Sequence, residues 1–254
     1  MEFIRYTYEH KTALVRTEWA GDLAGALLLG KMCEPVELGG RGTLRRCFFE
    51  GGTGIVRTFR RGGFVRHFVE RSYLMHNRPL QEFRIHTALY SGGLAVPEPL
   101  GVLWERRGVF FRGAIATREI EGRDLLEYLS TKPEAPERAL DQAGRLIREM
   151  HDMGVCHADL QVGNILVAAL QTYLIDFDKA TRHETLSTPQ RARNLSRLKR
   201  SFDKHFIPAD NFIQLLKGYG GGDIPEWMES HLPHTEEPRE PSPLVTPHDR
   251  APHE

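Results

Sequence analysis

His157-Ala158-Asp159-Leu160-Gln161-Val162-Gly163-Asn164 sets a carboxylate and a carboxamide five residues apart, and Asp176-Phe177-Asp178 follows twelve residues after the asparagine. The series reads H-x-D-x-x-x-x-N, strand, D-F-x. Phosphoryl transfer needs a carboxylate to orient or deprotonate the attacking hydroxyl. It also needs oxygen ligands on the Mg2+ that bridges the nucleotide phosphates. Asp159 is the candidate base. Asn164 and Asp176 are the candidate metal ligands, one neutral and one anionic, because magnesium takes hard oxygen donors and keeps several waters. Asp and Asn in loops also serve as caps and turn formers. The whole series at this interval, between strands, is what sets it apart. His157 is expected to buttress the loop, and Cys156 to be a buried small residue.

The elements that must hold this constellation are legible around it. Glu137 to Met153 carries Leu140, Ala143, Ile147 and Met150 on one face, which predicts an amphipathic helix stopped by Gly154. Ile165–Val167 and Tyr173–Ile175 predict two short strands, Asp124–Ser130 a short helix, and Thr188–Lys217 basic helical sequence. Upstream, Leu44–Glu50 and Ile55–Arg60 predict strands between glycine-rich turns. Leu80, Phe83, Thr87 and Tyr90 recur at helical spacing after Pro79, and Leu100–Trp104 and Val109–Ile120 predict two further strands. A strand-rich half therefore precedes a helix-rich half, with the joint near Glu119 to Arg123.

A nucleotide is expected in the first half. Gly40 and Gly42, in Gly39-Gly40-Arg41-Gly42-Thr43, could let backbone amides approach phosphates, although Arg45 stands where a kinase loop has its final glycine. Arg57, in Gly54-Ile55-Val56-Arg57, occupies the place of the strand lysine of kinases; it keeps the charge but presents a planar fork. Glu82 is its expected helix partner. Glu119, with Ile120, falls where the two halves join and backbone groups would meet the adenine ring.

HADLQVGNILV followed by YLIDFDKA resembles the 3-deoxy-D-manno-octulosonic acid (Kdo) kinases of lipopolysaccharide inner-core assembly. Gly40-Arg41-Gly42-Thr43, Val56-Arg57-Thr58-Phe59-Arg60-Arg61-Gly62-Gly63, Glu82-Phe83-Arg84 and Val96-Pro97-Glu98-Pro99 resemble further segments of that family, over roughly Val36 to Leu216. The resemblance implies an α+β, protein-kinase-like fold in two lobes: a five-stranded antiparallel sheet with one helix, then a mainly helical lobe. It implies ATP and Mg2+ as cofactors. The implied reaction is phosphorylation of the 4-hydroxyl of a Kdo residue on a lipid A precursor, at the cytoplasmic face of the inner membrane. Under it Asp159 is the base, Asn164 and Asp176 hold magnesium, Arg57 and Glu82 organise the phosphates, and Gly40 and Gly42 cover them. Thr58, Phe59, Lys179 and Ala180 depart from the family pattern at positions outside these roles.

Composition narrows the classes. The 254 residues carry 34 Lys+Arg and 34 Asp+Glu, so a nucleic-acid partner has no global charge to recognise. The longest run of small or apolar residues, Leu23 to Gly30, is too short to span a bilayer, and the N-terminus lacks a secretory signal. Three scattered cysteines suggest neither a disulfide framework nor a zinc site, which fits a reducing cytoplasm. No obligate protein partner is evident. From Arg191 to Lys204, six basic residues face one acidic, with Leu195, Leu198 and Phe202 interleaved. That stretch is expected to be a solvated lobe helix or a helix lying on an anionic membrane surface.

The expected layout is an N-terminal extension over 1–35, a nucleotide-binding lobe over 36–120 and a catalytic lobe over 121–232. A disordered tail follows over 233–254, with six of the fifteen prolines. The absence of an A-P-E segment after Asp176 points to a small-molecule or lipid-linked acceptor rather than a protein. Rival readings are a phosphotransferase for another small alcohol (a heptose, an aminoglycoside, a choline-type acceptor) and a non-catalytic kinase-like binding module.

Overall fold

A computed structural model describes residues 1–36, 44–59, 77–107, 110–169 and 171–229. The glycine turn at Gly40 and Gly42, the arginine–glycine turn after Phe59 and the proline-rich tail lie outside the described residues. The chain opens with β1 (Phe3–Tyr8) and β2 (Lys11–Arg16), then α1 (Ala20–Ala24), which runs on as a π-helical turn over Gly25–Leu29. The strands β3 (Cys33–Val36), β4 (Leu44–Phe49) and β5 (Gly52–Thr58) follow, then α2 (Arg78–Ser91), β6 (Pro99–Arg107) and β7 (Phe110–Arg118). These seven strands form one antiparallel sheet in the order β1-β2-β6-β7-β5-β4-β3.

The sheet therefore has seven strands where five were expected. The first two come from residues 1–35, and β2 joins the rest through β6, with Leu14 opposite Val102. The apolar run Leu23–Gly30 is the α1 segment: Leu23, Ala24, Ala26, Leu27 and Leu28 are buried against Ala13, Val15, Leu100 and Ala116 of the sheet. Burial of that face, at roughly 25 cal/mol per Å2 of apolar surface, favours the helix on the sheet.

The second half holds β8 (Arg123–Asp124), α3 (Leu125–Ser130), α4 (Pro136–Asp152), β9 (Val155–Cys156), β10 (Ile165–Val167), β11 (Thr172–Leu174), β12 (Thr181–Arg182), α5 (Thr188–Lys204), α6 (Ala209–Gly220) and α7 (Glu226–Glu229). Its core is built on the apolar face of α4, with Leu140, Ala143, Ile147 and Met150 all buried. Helices α4 and α6 approach closely because Gly144 and Gly218 face each other's backbones. A Cβ on Gly144 would lie 2.0 Å from the Leu215 carbonyl, and one on Gly218 would lie 2.3 Å from that of Asp141. Gly154 ends the α4 turn with φ +76° and its N–H on the His151 carbonyl, 3.0 Å.

The helical stretch read over Thr188–Lys217 is two helices. Phe206 takes a left-handed φ of +54° and Pro208 follows, so the chain turns between α5 and α6. Leu195, Leu198 and Phe202 are buried in the lobe core. The apolar stripe of α5 thus faces protein, and only its basic side faces outward.

Candidate active site

Local sequence positions the loop. Strands β10 and β11 pair antiparallel with Ile165 opposite Leu174, so the residues just outside the pair, Asn164 and Ile175, also meet: the Ile175 N–H donates to the Asn164 carbonyl at 3.1 Å. Asp176 is the next residue. It sits at φ +63°, a conformation disfavoured for a side chain bearing a Cβ and held by its surroundings. Phe177 after it is fully buried, its ring 5.1 Å from that of His157 and 5.5 Å from that of His86 on α2.

His157 is a buttress. Its Nε2 donates to the Ile175 carbonyl, 3.0 Å, and its Nδ1 accepts the Asp159 N–H, 3.1 Å. Only the neutral ring with the proton on Nε2 satisfies both, and burial holds its pKa below the ordinary value. Asp159 is exposed. Its carboxylate accepts from Gln161 Nε2 at 3.0 Å, and its backbone carbonyl accepts from Asn164 Nδ2 at 2.8 Å. That last bond orients the Asn164 side chain, with its Oδ1 turned away from Asp159.

A cleft of about 670 Å3 lies between the sheet and the second half. Arg57, Glu82, Glu119, Asn164 and Asp176 all line it. Arg57 on β5 bonds to the Glu82 carboxylate on α2, and the same Nη2 lies 3.2 Å from Asp176 Oδ1. Burial pushes Glu82 up to about 7 against the lowering pull of Arg57. Its second oxygen, Oε2, has no hydrogen-bond partner among the described residues. Helix α2 is set at its start by the Asn77 side chain, which accepts from the Leu80 N–H at 3.2 Å, with Pro79 in the first turn.

Of the positions read from sequence, Arg57, Glu82, Asn164 and Asp176 are thus brought together. Asp159 stands outside the lining residues, tied to them through Asn164. Glu119 lines the cleft at the joint, but its carboxylate is gripped by Arg46 at 2.6 to 2.9 Å, and its N–H donates to the Thr53 carbonyl at 3.1 Å. The Arg46 hydrogen bonds hold Glu119 below the usual carboxylate range.

Two contacts were not read from sequence. Arg78, at the start of α2, makes an ion pair with Asp178, the third residue of the D-F-D triplet. Asn194 on α5 is buried and brackets His157: its Nδ2 donates to the His157 carbonyl at 2.7 Å, and its Oδ1 accepts the His157 N–H at 3.2 Å. The same Oδ1 lies 3.0 Å from Nε2 of the buried His151, whose Nδ1 is 2.9 Å from the Tyr219 hydroxyl. A polar residue on the apolar face Asn194, Leu195, Leu198, Ser201 and Phe202 is the signal that could have found it.

A strand-rich lobe, a helical lobe and a cleft with an Arg–Glu pair opposite Asn164 and Asp176 define a protein-kinase-like fold. The solved structure of WaaP in complex with acyl carrier protein shares it, with a TM-score of 0.55 at 19% identity, over 82% of this chain and 88% of that one. The sequence profile of the lipopolysaccharide kinase (Kdo/WaaP) family matches residues 31–219. The chain belongs to that family. It is 37% identical over 180 residues to the 3-deoxy-D-manno-octulosonic acid kinase of Xylella fastidiosa strain M12, covering 69% of this chain and 72% of the relative. With the protein of the same name from Photobacterium profundum it shares 36% identity over 195 residues, 71% and 80% of the two chains. Family membership makes it a phosphotransferase acting on a hydroxyl.

Proposed function

We propose that the chain transfers the γ-phosphoryl group of ATP to the 4-hydroxyl of a Kdo residue on a lipid A precursor, at the cytoplasmic face of the inner membrane. The observation that carries this reading is the convergence of Arg57, Asn164 and Asp176 on one cleft beside Asp159. The names of its relatives supply the acceptor sugar. Residues 36–120 hold the nucleotide and 121–232 the catalytic loop, while 1–35 add strands to the first lobe.

In this reading Arg57, fixed by Glu82, lies against the nucleotide phosphates, and the turn at Gly40 and Gly42 covers them. The cleft wall at Glu119 meets the adenine through backbone. Asn164 Oδ1 and the Asp176 carboxylate would hold Mg2+. The fit is chemical: two hard oxygens, one charged, with Asn164 Nδ2 already turned away toward Asp159. Among the described residues no three His, Cys, Asp or Glu side chains form a cation cage, so the phosphates and water would supply the remaining ligands. Magnesium, when bound, offsets the charge of the phosphates. Asp159 accepts the proton of the sugar hydroxyl as its oxygen bonds to the γ-phosphorus and the bond to ADP breaks. His157 and Asn164 hold Asp159 in place from behind.

The test supplies labelled ATP and Mg2+ with, separately, a Kdo-lipid A precursor, an inner-core heptose and soluble aminoglycosides. Label on the Kdo acceptor alone supports the reading. Label on either of the others, or on none, overturns it.

A further inference from the structure

The exposed side of α5 is a line of cations. Arg193, Arg197, Arg200 and Lys204 are all exposed and stand at i, i+4, i+7 and i+11, one row over about 16 Å of helix. The other two cations of α5 are paired: Arg191 with Asp152 at 2.6 Å, and Lys199 with Asp203, the only acid of the helix, at 2.8 Å. Among the described residues no carboxylate pairs with the four of the row. Four like charges on adjacent turns repel one another, so the row weakens its own helix unless an anion lies against it. Phe206, 93% exposed, follows two residues after Lys204.

The row is next to the chemistry. Asn194 binds both backbone groups of His157, and Ser201 Oγ accepts the Val162 N–H at 3.2 Å, so α5 holds the catalytic loop at two points. The row is the strip of surface beside that contact. The charge of Arg197 is felt at both Cys156 and His157, and that of Arg193 at Cys156.

We propose that Arg193, Arg197, Arg200, Lys204 and Phe206 form the face on which this chain docks to an anionic bilayer. The lipid headgroup phosphates meet the cations, and the Phe206 ring enters the interface. A soluble anion would explain the arginines but not a fully presented phenyl ring at the end of their row, whereas aromatic and basic residues together are what an interface accepts. The inference rests on the reading of a lipid-linked acceptor, and it adds where the lipid lies: along the catalytic loop, so that a sugar at the headgroup level reaches Asp159 without leaving the membrane.

Vesicle flotation of the full chain tests it without ATP or acceptor, so its failure is separable from failure of the kinase reading. The wild type is expected to float with phosphatidylcholine–phosphatidylglycerol vesicles, less so as salt rises, and not with pure phosphatidylcholine. Each Arg→Gln or Lys→Gln change in the row is expected to weaken partitioning about fivefold, and Phe206→Ser to weaken it further. The quadruple Gln variant should phosphorylate a water-soluble Kdo acceptor as the wild type does, with a raised KM only for acceptor embedded in vesicles. Equal flotation of wild type and variants overturns the proposal. So does release of the protein by inorganic phosphate at an ionic strength where sodium chloride leaves it bound.

Discussion

The carboxamide of Asn194 closes a two-way bracket on the backbone of His157, donating to its carbonyl at 2.7 Å and accepting its N–H at 3.2 Å. A helix that contributes nothing to the cleft lining thereby fixes the entry to the catalytic loop. Asn194→Leu would leave both His157 backbone groups and Nε2 of His151 without the Asn194 partner, at about 1–3 kcal/mol for each buried group. The melting temperature is expected to fall by at least about 6 °C. Turnover should drop about 10- to 100-fold with the KM for ATP little changed, because the loop shifts and the nucleotide side does not. Differential scanning calorimetry and steady-state kinetics read the two effects. A lowered melting temperature with unchanged turnover would make Asn194 a purely structural residue.

Arg57 stands between two carboxylates, Glu82 and Asp176. Arg57→Ala removes the cation between them, and turnover is expected to fall by about two orders of magnitude with a raised KM for ATP. Arg57→Lys restores the charge but not the fork, since an ammonium is a point donor. It should recover only part of the loss. Initial rates over a series of ATP concentrations distinguish the three proteins.

The pair between Arg78 and Asp178 ties the start of α2 to the D-F-D loop, one helical turn before Glu82. Arg78 is 44% exposed in its side chain, so the pair itself is worth only about 0.5–1 kcal/mol. Its effect should appear as alignment. Arg78→Glu and Asp178→Arg are each expected to lower kcat, and the double reversal to regain most of it. A thermodynamic cycle on kcat/KM measures the coupling, and additive losses would show that the two residues act apart.

Three buried histidines set the acid limb of stability. Burial lowers His86 and His151 to about 4, and lowers His157 as well. Between about pH 6.5 and 4 the unfolded chain therefore binds protons that the folded chain refuses, and stability falls as pH drops through that window. Glu82 works the other way: raised to about 7, it takes up a proton in the folded state first, so its contribution declines as pH rises from about 4.5 to 7. His86→Gln keeps a donor toward the Pro97 carbonyl, which His86 Nε2 reaches at 2.6 Å, and removes one titration. The unfolding free energy of this variant, read from urea titrations, should decline less steeply between pH 6.5 and 4, by up to about 3 kcal/mol at the acid end.

The candidate site was legible where its geometry is local. Asp159, Asn164 and Asp176 lie within eighteen residues on a loop and two short strands, so their spacing alone fixes how close they come. Arg57 and Glu82 could be paired because a strand and the following helix of a kinase-like sheet leave them few other places. The first strands were hidden for two reasons: β2 finds β6 about ninety residues on, and the β1–β2 turn runs through Glu9 at φ +51° where a glycine or asparagine would have announced a hairpin. Asn194 was hidden by company, one neutral residue among arginines. The basic helix admitted two readings in sequence, and the burial of Leu195, Leu198 and Phe202 separates its core face from its charged one.

In the proposed reaction Asp159 takes the proton from a Kdo hydroxyl while Arg57, Asn164 and Asp176 hold the nucleotide. Asp159→Ala separates the two roles, with calorimetric titration of Mg2+–ATP and phosphate transfer to a Kdo-lipid A precursor measured on the same preparation. Near-native nucleotide binding with loss of nearly all transfer is expected. Transfer at a near-native rate would contradict it.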